Sequence, residues 1–144
     1  VSSVDGSAGG WQWEDTVLLA KELKKLGVDV VDCSSGGISG SATSGNDGKR
    51  QPGFQVPYAA RVKKQAKITT MSVGLITHPI QAEDILQHNQ SDLIAIGREA
   101  LANPNWPLTA REILSQDHHY EHWPKQAGWW LERRAQSSEF YNPK

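Results

Sequence analysis

The first hydrophobic pattern in the chain has the spacing of an α-helix. From Glu14 to Leu26, apolar residues return every three to four positions, which predicts a helix with one apolar face. Acidic residues lie in its first turn and lysines in its last turn, which is the order that the helix dipole favours. Gly27 follows directly and is a typical helix stop. The sequence therefore predicts a helix over 14–26.

Short apolar runs between the helical stretches predict β-strands. They are Val28–Cys33, Ile68–Val73 and Asp92–Ile96, and Val1–Val4 is a candidate for one more, shorter strand. The run Leu93–Ile96 is continuously apolar, which is typical of a strand buried on both faces of a sheet. We therefore expect about four parallel strands.

Helices are predicted between and after these strands, and several open with a residue that suits a first turn or a cap. The predicted helices are 57–66, beginning at Pro57; 78–88, capped by Thr77; a short helix opened by Gly97 and Arg98; and 108–114, after a break at Asn103–Pro107. Strands that alternate with helices indicate the α/β class with a parallel sheet. The pattern fades after Gln116, so we expect a C-terminal tail over 117–144.

A long loop connects the strand at Val28–Cys33 to the helix at Pro57. It runs from Ser34 to Val56 and is rich in Gly and Ser. Loops of this length within compact domains are usually functional or mobile. Because it offers few apolar contacts, we expect the loop to be mobile without ligand, to lie beside the bound ligand, and to be cleaved by proteases at Asn46–Arg50.

The charge balance excludes several classes of partner. Fifteen Lys and Arg residues oppose 16 Asp and Glu residues, which leaves a formal net charge of −1. A nearly neutral chain has no electrostatic footprint for nucleic acid or anionic lipid. No apolar run approaches the roughly 18–20 residues of a membrane span, and the first residues do not resemble a signal segment. We therefore expect no nucleic-acid partner and no membrane partner.

Cys33 is the only cysteine, so no internal disulfide is possible. This fits a reducing compartment and predicts a cytoplasmic protein. The thiol has two interpretations: a reactive group near a cofactor, or a small buried residue at the end of a strand. We favour the second, because free cysteine is among the most buried residue types.

Two short turns carry the candidate chemistry, Ser72–Leu75 and Ala95–Arg98. Each follows a predicted strand, precedes a helix and contains a glycine. Unpaired N–H groups in such turns attract phosphate, glycine permits close approach of the backbone, and Arg98 adds a permanent cation. The alternative is that Gly74 and Gly97 are only turn residues and Arg98 a solvated charge. Spacing alone does not decide between the two.

Six stretches occur in the order and spacing of a known family. They are Gly10–Trp11, Val31–Gly37, Gly53–Ala59, Ser72–Ile76, Gly97–Glu99 and Asn103–Pro107. Together they resemble the old yellow enzyme family, in its bacterial branch of NADH:flavin oxidoreductases. The resemblance covers residues 1–114. It implies the C-terminal part of an FMN-binding (β/α)8 TIM barrel over 1–116.

The resemblance also implies a cofactor site and a reaction. FMN lies across the C-terminal ends of the strands, and backbone groups of Val73, Gly74, Leu75 and Gly97, with the side chain of Arg98, hold its phosphate. NADH or NADPH gives a hydride to the flavin, which passes it to the β-carbon of an activated alkene such as an enone. Other phosphate-binding barrel enzymes and a non-catalytic α/β binding module are the alternatives.

The family's catalytic residues have no match in this sequence. These are the His pair that binds the substrate carbonyl and the proton-donating Tyr, so no catalytic residue is assigned to this chain. We therefore expect the 144 residues alone to be inactive. Open sheet edges favour association, so we also expect a homo-oligomer or pairing through those edges.

The C-terminal tail contains a histidine cluster and a tryptophan pair. His118, His119 and His122 permit a zinc site, but solvated histidines are favoured because no further ligand cluster supports the metal. Trp129 and Trp130 lie in a segment similar to the family's C-terminal segment, from which an Arg and an aromatic residue reach a neighbouring active site in some members. We favour packing of both rings on the outer surface of the barrel.

Overall fold

The computed structural model describes residues 1–7, 9–36, 50–114 and 119–137. The chain divides into two compact units, Val1–Arg98 and Glu99–Lys144. The domain boundary that the sequence predicts after residue 116 stays a prediction. Most of the predicted Ser34–Val56 loop lies outside the described residues, so its place beside a ligand also stays a prediction.

The first unit alternates helices and parallel strands in the predicted order. Its elements are α1 (Trp13–Lys25), β1 (Val30–Cys33), α2 (Val56–Ala66), β2 (Thr69–Ser72), α3 (Pro79–Gln87) and β3 (Leu93–Ile94). A short helix, α4 (Arg98–Ala102), begins at the boundary between the units. The predicted helix over 14–26 is confirmed to within one residue, and Gly27 follows with a φ of 89°.

The three described strands form one parallel sheet in the order β1-β2-β3. Val31 lies opposite Thr70, and Ser72 lies opposite Ile94. The predicted strand at Val1–Val4 is reduced to a single parallel bridge between Ser2 and Ser34. The α/β class and the parallel sheet are therefore confirmed, with three strands and one bridge where about four strands were expected.

The hydrophobic core lies between one face of the sheet and helices α1 and α2. It contains Val31 and Cys33 from β1, Val17 from α1, and Ala59 and Val62 from α2, all buried. Since side chains alternate along a strand, the residues between these positions point to the opposite face. The helices of the described unit thus cover only one face of the sheet.

The prediction that Leu93–Ile96 is a strand buried on both faces is wrong for this unit. Only Leu93 and Ile94 are in the strand, and Leu93 is 45% exposed. Leu93 lies opposite Met71, on the face that no described element of the unit covers. Val30 on the same face is also exposed, at 37%. A continuous apolar run shows that a strand is suited to burial on both faces. It does not show which element packs on the second face.

An ion pair fixes the start of β3 against β2. The Lys63 ammonium lies 2.9 Å from the Asp92 carboxylate, and the Thr70 N–H donates to the other carboxylate oxygen at 2.9 Å. Burial alone would raise the pKa of the Asp92 carboxyl, but the Thr70 N–H and the Lys63 ammonium outweigh it and lower that pKa.

Replacing Asp92 with asparagine should therefore cost stability in a pH-dependent way. At neutral pH we expect Asp92→Asn to lower the free energy of unfolding by about 0.5–1.5 kcal/mol, because a charged hydrogen bond and a partly exposed ion pair are lost. Since the folded pKa is lowered, the stabilisation is present above the ordinary Asp pKa and is lost as the pH falls through the lowered value. Urea unfolding of wild type and variant, at neutral pH and in acid, measures the difference.

The control for this experiment is Asp29→Asn, which replaces an exposed aspartate in the same unit. We expect it to have little effect at either pH. If the difference between wild type and Asp92→Asn did not shrink in acid, the ion pair would not be the source of the stabilisation.

The second unit contains two longer helices, α5 (Trp106–Ile113) and α6 (Lys125–Gln136). The sequence predicted the first of them over 108–114, with Pro107 as part of a break; instead Pro107 occupies the first turn, where its missing N–H costs nothing. Helix α6 was not predicted. A Cβ at Gly128 on α6 would lie 2.7 Å from the Tyr120 carbonyl oxygen, so this glycine permits close packing of the helix against the segment that precedes it.

Trp129, Trp130 and His119 of the second unit are exposed. Trp129 and Trp130 form an edge-to-face pair with ring centroids 4.4 Å apart, and their exposed fractions are 46% and 65%. The Arg133 guanidinium lies over the Trp129 ring at 3.9 Å. His119 Nδ1 lies 3.7 Å from Glu132, whereas His118 is outside the described residues. Packing of the two rings on the barrel stays a prediction.

The described part of the chain holds no group of three or more His, Cys, Asp or Glu side chains arranged to hold a metal ion. Among the helices that the structure describes, none is both long enough and apolar enough to cross a membrane.

Candidate active site: a phosphate-binding edge of the sheet

The two turns that the sequence identified lie next to each other at the carboxyl edge of the sheet. One follows β2 and the other follows β3, and these two strands are paired in parallel. The Ala95 N–H donates to the Ser72 carbonyl oxygen at 2.8 Å, which continues the pairing beyond the last strand residue. Backbone groups after both strands are thereby brought to one place.

The turn after β2 has an unusual backbone conformation. Gly74 has a φ of 111° and Leu75 a φ of 51°, both in the left-handed region. Ile76 is buried and anchors the end of the turn. Helix α3 begins only at Pro79, and its cap is His78, whose Nδ1 accepts from the Ile80 N–H at 3.2 Å. The prediction that Thr77 caps this helix is therefore wrong; His78 provides the nearer acceptor.

Two neighbouring segments hold this turn. The Gly53 N–H donates to the Gly74 carbonyl oxygen at 2.9 Å. From α3, the Gln81 carboxamide donates to the Leu75 carbonyl oxygen at 3.3 Å and accepts from the Thr77 N–H at 3.3 Å. The carbonyl oxygens of Gly74 and Leu75 thus both accept hydrogen bonds from neighbouring segments.

Three amide hydrogens of the two turns have no partner in the described part of the first unit. No residue in the described part of the first unit accepts a hydrogen bond from the N–H of Gly74, Leu75 or Gly97, whereas the Val73 N–H continues the pairing of β2 with the end of β1. In the same part of the chain, the exposed Arg98 guanidinium makes no hydrogen bond or ion pair. Unpaired amides beside a planar cation are the donor set that phosphate groups require, so these residues fit the phosphate of a nucleotide.

The two glycines of the site are required for different reasons. A Cβ at Gly74 would lie 2.8 Å from the Gln55 Oε1 atom and 3.0 Å from a Phe54 ring carbon. Gly74 is therefore needed for its φ angle and because a side chain would clash with Gln55 and Phe54. The space beside its Cα is filled by these residues, so an anion does not approach there. A Cβ at Gly97 would meet nothing within 4 Å, so the space before Gly97 is open to a ligand.

The α4 helix makes a smaller contribution than the sequence suggested. It has five residues, so its dipole is weak. The groups that these turns offer to an anion are instead individual N–H groups and the Arg98 guanidinium. Sequence reasoning also missed Gln55 and Gln81, which hold the turn. Gln55 lies within the 53–59 stretch that carries the family resemblance, and a polar residue inside an otherwise apolar helix start was the available signal.

Cys33 is not a reactive residue of this site. Its side chain is fully buried, its Sγ lies 3.6 Å from the Val31 carbonyl oxygen, and burial raises the pKa of the thiol to about 11. A thiol with this pKa stays protonated at neutral pH and is a poor nucleophile. The favoured interpretation, a small buried residue at the end of a strand, is confirmed.

A parallel βα fold with free amides after two adjacent strands is an arrangement that phosphate-binding α/β proteins use. Residues 1–117 match the family described as the NADH:flavin oxidoreductase / NADH oxidase family. The chain belongs to this family, and its fold is part of the family's barrel. The family implies FMN as the cofactor and NADH or NADPH as the electron donor.

Curated relatives show the same relationship. The chain is 44% identical over 110 residues to an NADPH dehydrogenase of Halalkalibacterium halodurans, a match that covers 76% of this chain and 31% of that protein. It is 40% identical over 114 residues to an NADPH dehydrogenase of a Geobacillus species, covering 79% of this chain and 32% of the relative. The matched residues thus span about a third of the length of these relatives.

Proposed function

We propose that this chain provides the FMN-phosphate site of an NAD(P)H-dependent flavin oxidoreductase that reduces activated C=C bonds. The observation that carries the proposal is the pair of adjacent turns with unpaired amides, in a chain that belongs to a flavin oxidoreductase family. The family match favours FMN over the sugar phosphate of another barrel enzyme, and over a module that binds no flavin.

Each proposed site residue has a defined task. The N–H groups of Gly74, Leu75 and Gly97 donate to the phosphate oxygens, the backbone of Val73 begins the turn beside them, and the Arg98 guanidinium pairs with the phosphate charge. When bound, FMN supplies the hydride transfer between NADH or NADPH and the β-carbon of an enone. These residues orient the cofactor but exchange no proton with the substrate. We therefore assign no catalytic residue to this chain, and we propose a cytoplasmic enzyme.

The test of the proposal is turnover by the protein expressed at its full coding length. NADPH consumption is followed with cyclohexenone as the acceptor, in the presence of FMN. We expect enone-dependent consumption that requires FMN, with the reduced ketone as the product. If NADPH were oxidised only by oxygen and no saturated ketone formed, the alkene-reducing function would be wrong while the flavin site would stand.

The 144 residues expressed alone should behave differently. We expect no enone reduction under the same conditions, because no carbonyl-binding or proton-donating residue is assigned to them. We also expect an oligomer in sedimentation, because Leu93 and Val30 are exposed on the uncovered sheet face. A monomer that turns over cyclohexenone would contradict both expectations.

A further inference from the structure

Gln55 is a buried polar side chain at the start of α2 that does not cap the helix. It is the N-cap residue of α2, yet its side chain makes no capping hydrogen bond. Only 6% of the residue is exposed. A buried carboxamide is costly unless it is hydrogen-bonded, so its partners indicate what it does.

The Gln55 carboxamide reaches from the end of β1 to the turn after β2. Its Nε2 donates to Ser35 Oγ at 2.8 Å and lies 3.4 Å from the Ser35 carbonyl oxygen. Its Oε1 packs against Gly74, so closely that a Cβ added to Gly74 would lie 2.8 Å from this oxygen. Two residues earlier, the Gly53 N–H donates to the Gly74 carbonyl oxygen. One short segment therefore fixes Gly74 by a hydrogen bond and by packing.

The turn needs this external support because of Leu75. Gly74 adopts a φ of 111° freely, but a φ of 51° at Leu75 is a left-handed conformation that a residue with a side chain keeps only when its surroundings impose it. The N–H groups of Gly74 and Leu75 have no partners among the described residues of the unit and cannot hold the turn themselves. The position of the free amides is therefore set by the residues behind them.

We propose that Gln55 is a positioning residue of the phosphate site. Through Ser35 it is tied to the end of β1, and against Gly74 it holds the amides of Gly74 and Leu75 in the orientation that receives an anion. This inference rests on the proposed FMN site, and it assigns a specific role to a side chain that does not itself contact the phosphate.

The experiment compares FMN with riboflavin, which lacks the phosphate. The variant is Gln55→Met, which keeps the length of the side chain and removes its hydrogen bonds. With the protein at full coding length, flavin fluorescence titrations give both dissociation constants. We expect FMN affinity to fall about tenfold and riboflavin affinity to change less than about twofold, because only the phosphate contacts depend on the turn.

Two further variants separate positioning from folding. Ser35→Ala removes the hydroxyl group that accepts the shorter hydrogen bond from Gln55 and should reproduce the selective loss, with no further loss in the double variant. It also serves if Gln55→Met fails to fold. Gln87→Met replaces an exposed glutamine on α3 and should change neither affinity.

The outcomes distinguish this inference from the proposed function. Equal losses for FMN and riboflavin in Gln55→Met and Ser35→Ala would show a merely structural role and overturn the inference. Unchanged FMN affinity in both variants would also overturn it, while a wild type that prefers FMN to riboflavin would keep the phosphate site. A wild type that binds both flavins equally, or neither, would overturn the site and the inference together.

Discussion

Replacing Arg98 with alanine should weaken FMN binding about tenfold to a hundredfold. The guanidinium has no partner in the described part of the first unit, so it is available for the phosphate. A hydrogen bond to a charged group is worth roughly 1.5–3 kcal/mol, which corresponds to this range of dissociation constants. The measurement is a flavin fluorescence titration with FMN.

Two comparisons make the Arg98 result specific. Riboflavin affinity should be nearly unchanged in Arg98→Ala, because the partner of the guanidinium is the phosphate. The control variant is Arg61→Ala, which removes the same charge from α2, where the guanidinium lies over the Trp13 ring at 4.7 Å. That variant should keep its FMN affinity. Unchanged FMN affinity in Arg98→Ala would remove Arg98 from the site.

Replacing Gly74 with alanine should have the largest effect on stability. The left-handed conformation costs an L-residue about 1–2 kcal/mol, and the new methyl group would lie 2.8 Å from Gln55 Oε1 and 3.0 Å from the Phe54 ring. Overpacking of this kind costs a further 1–3 kcal/mol or so. We therefore expect the free energy of unfolding to fall by about 2–4 kcal/mol, measured by urea unfolding, together with a loss of FMN affinity.

Gly97→Ala is the matched control for Gly74→Ala. Its methyl group would meet nothing within 4 Å, and Gly97 is not among the glycines with positive φ. Stability should change by less than about 1 kcal/mol, whereas FMN affinity should fall because the methyl group occupies the space before the amide. If Gly74→Ala were as stable as Gly97→Ala, Gln55 would not pack against Gly74.

The order of elements was predictable because it depends on local patterns. Helix α1 has one apolar face, an acidic first turn and a glycine stop, and these features agree on the same segment. The parallel sheet followed from alternation of strands with helices. The two turns followed from a glycine placed directly after each apolar run.

The parts that sequence reasoning missed depend on contacts between distant residues. The exposure of Leu93 depends on which layers cover the sheet, and an apolar run does not contain that information. Helix α6 has mixed polarity, and the packing of Gly128 against Tyr120 is not visible in a local pattern. Pro107 suits either a break or a first turn, and only the surrounding structure decides.

The sequence predicted which glycines belong to the site but not why each of them is required. The sequence identified Gly74 and Gly97 as equivalent, whereas one is required by backbone conformation and packing and the other faces open space. The difference arises from Gln55, which lies some twenty residues before Gly74 in the sequence. Its role appears only when the end of β1 and the turn after β2 are brought together.

The identity of the bound flavin tests the central claim most directly. The protein is expressed at its full coding length and purified, and any chromophore that it releases on denaturation is identified by chromatography. We predict a yellow protein that releases FMN, with less FMN retained by Arg98→Ala than by Arg61→Ala. A colourless protein that takes up no flavin on dialysis against FMN would contradict the claim that these two turns hold the phosphate of FMN.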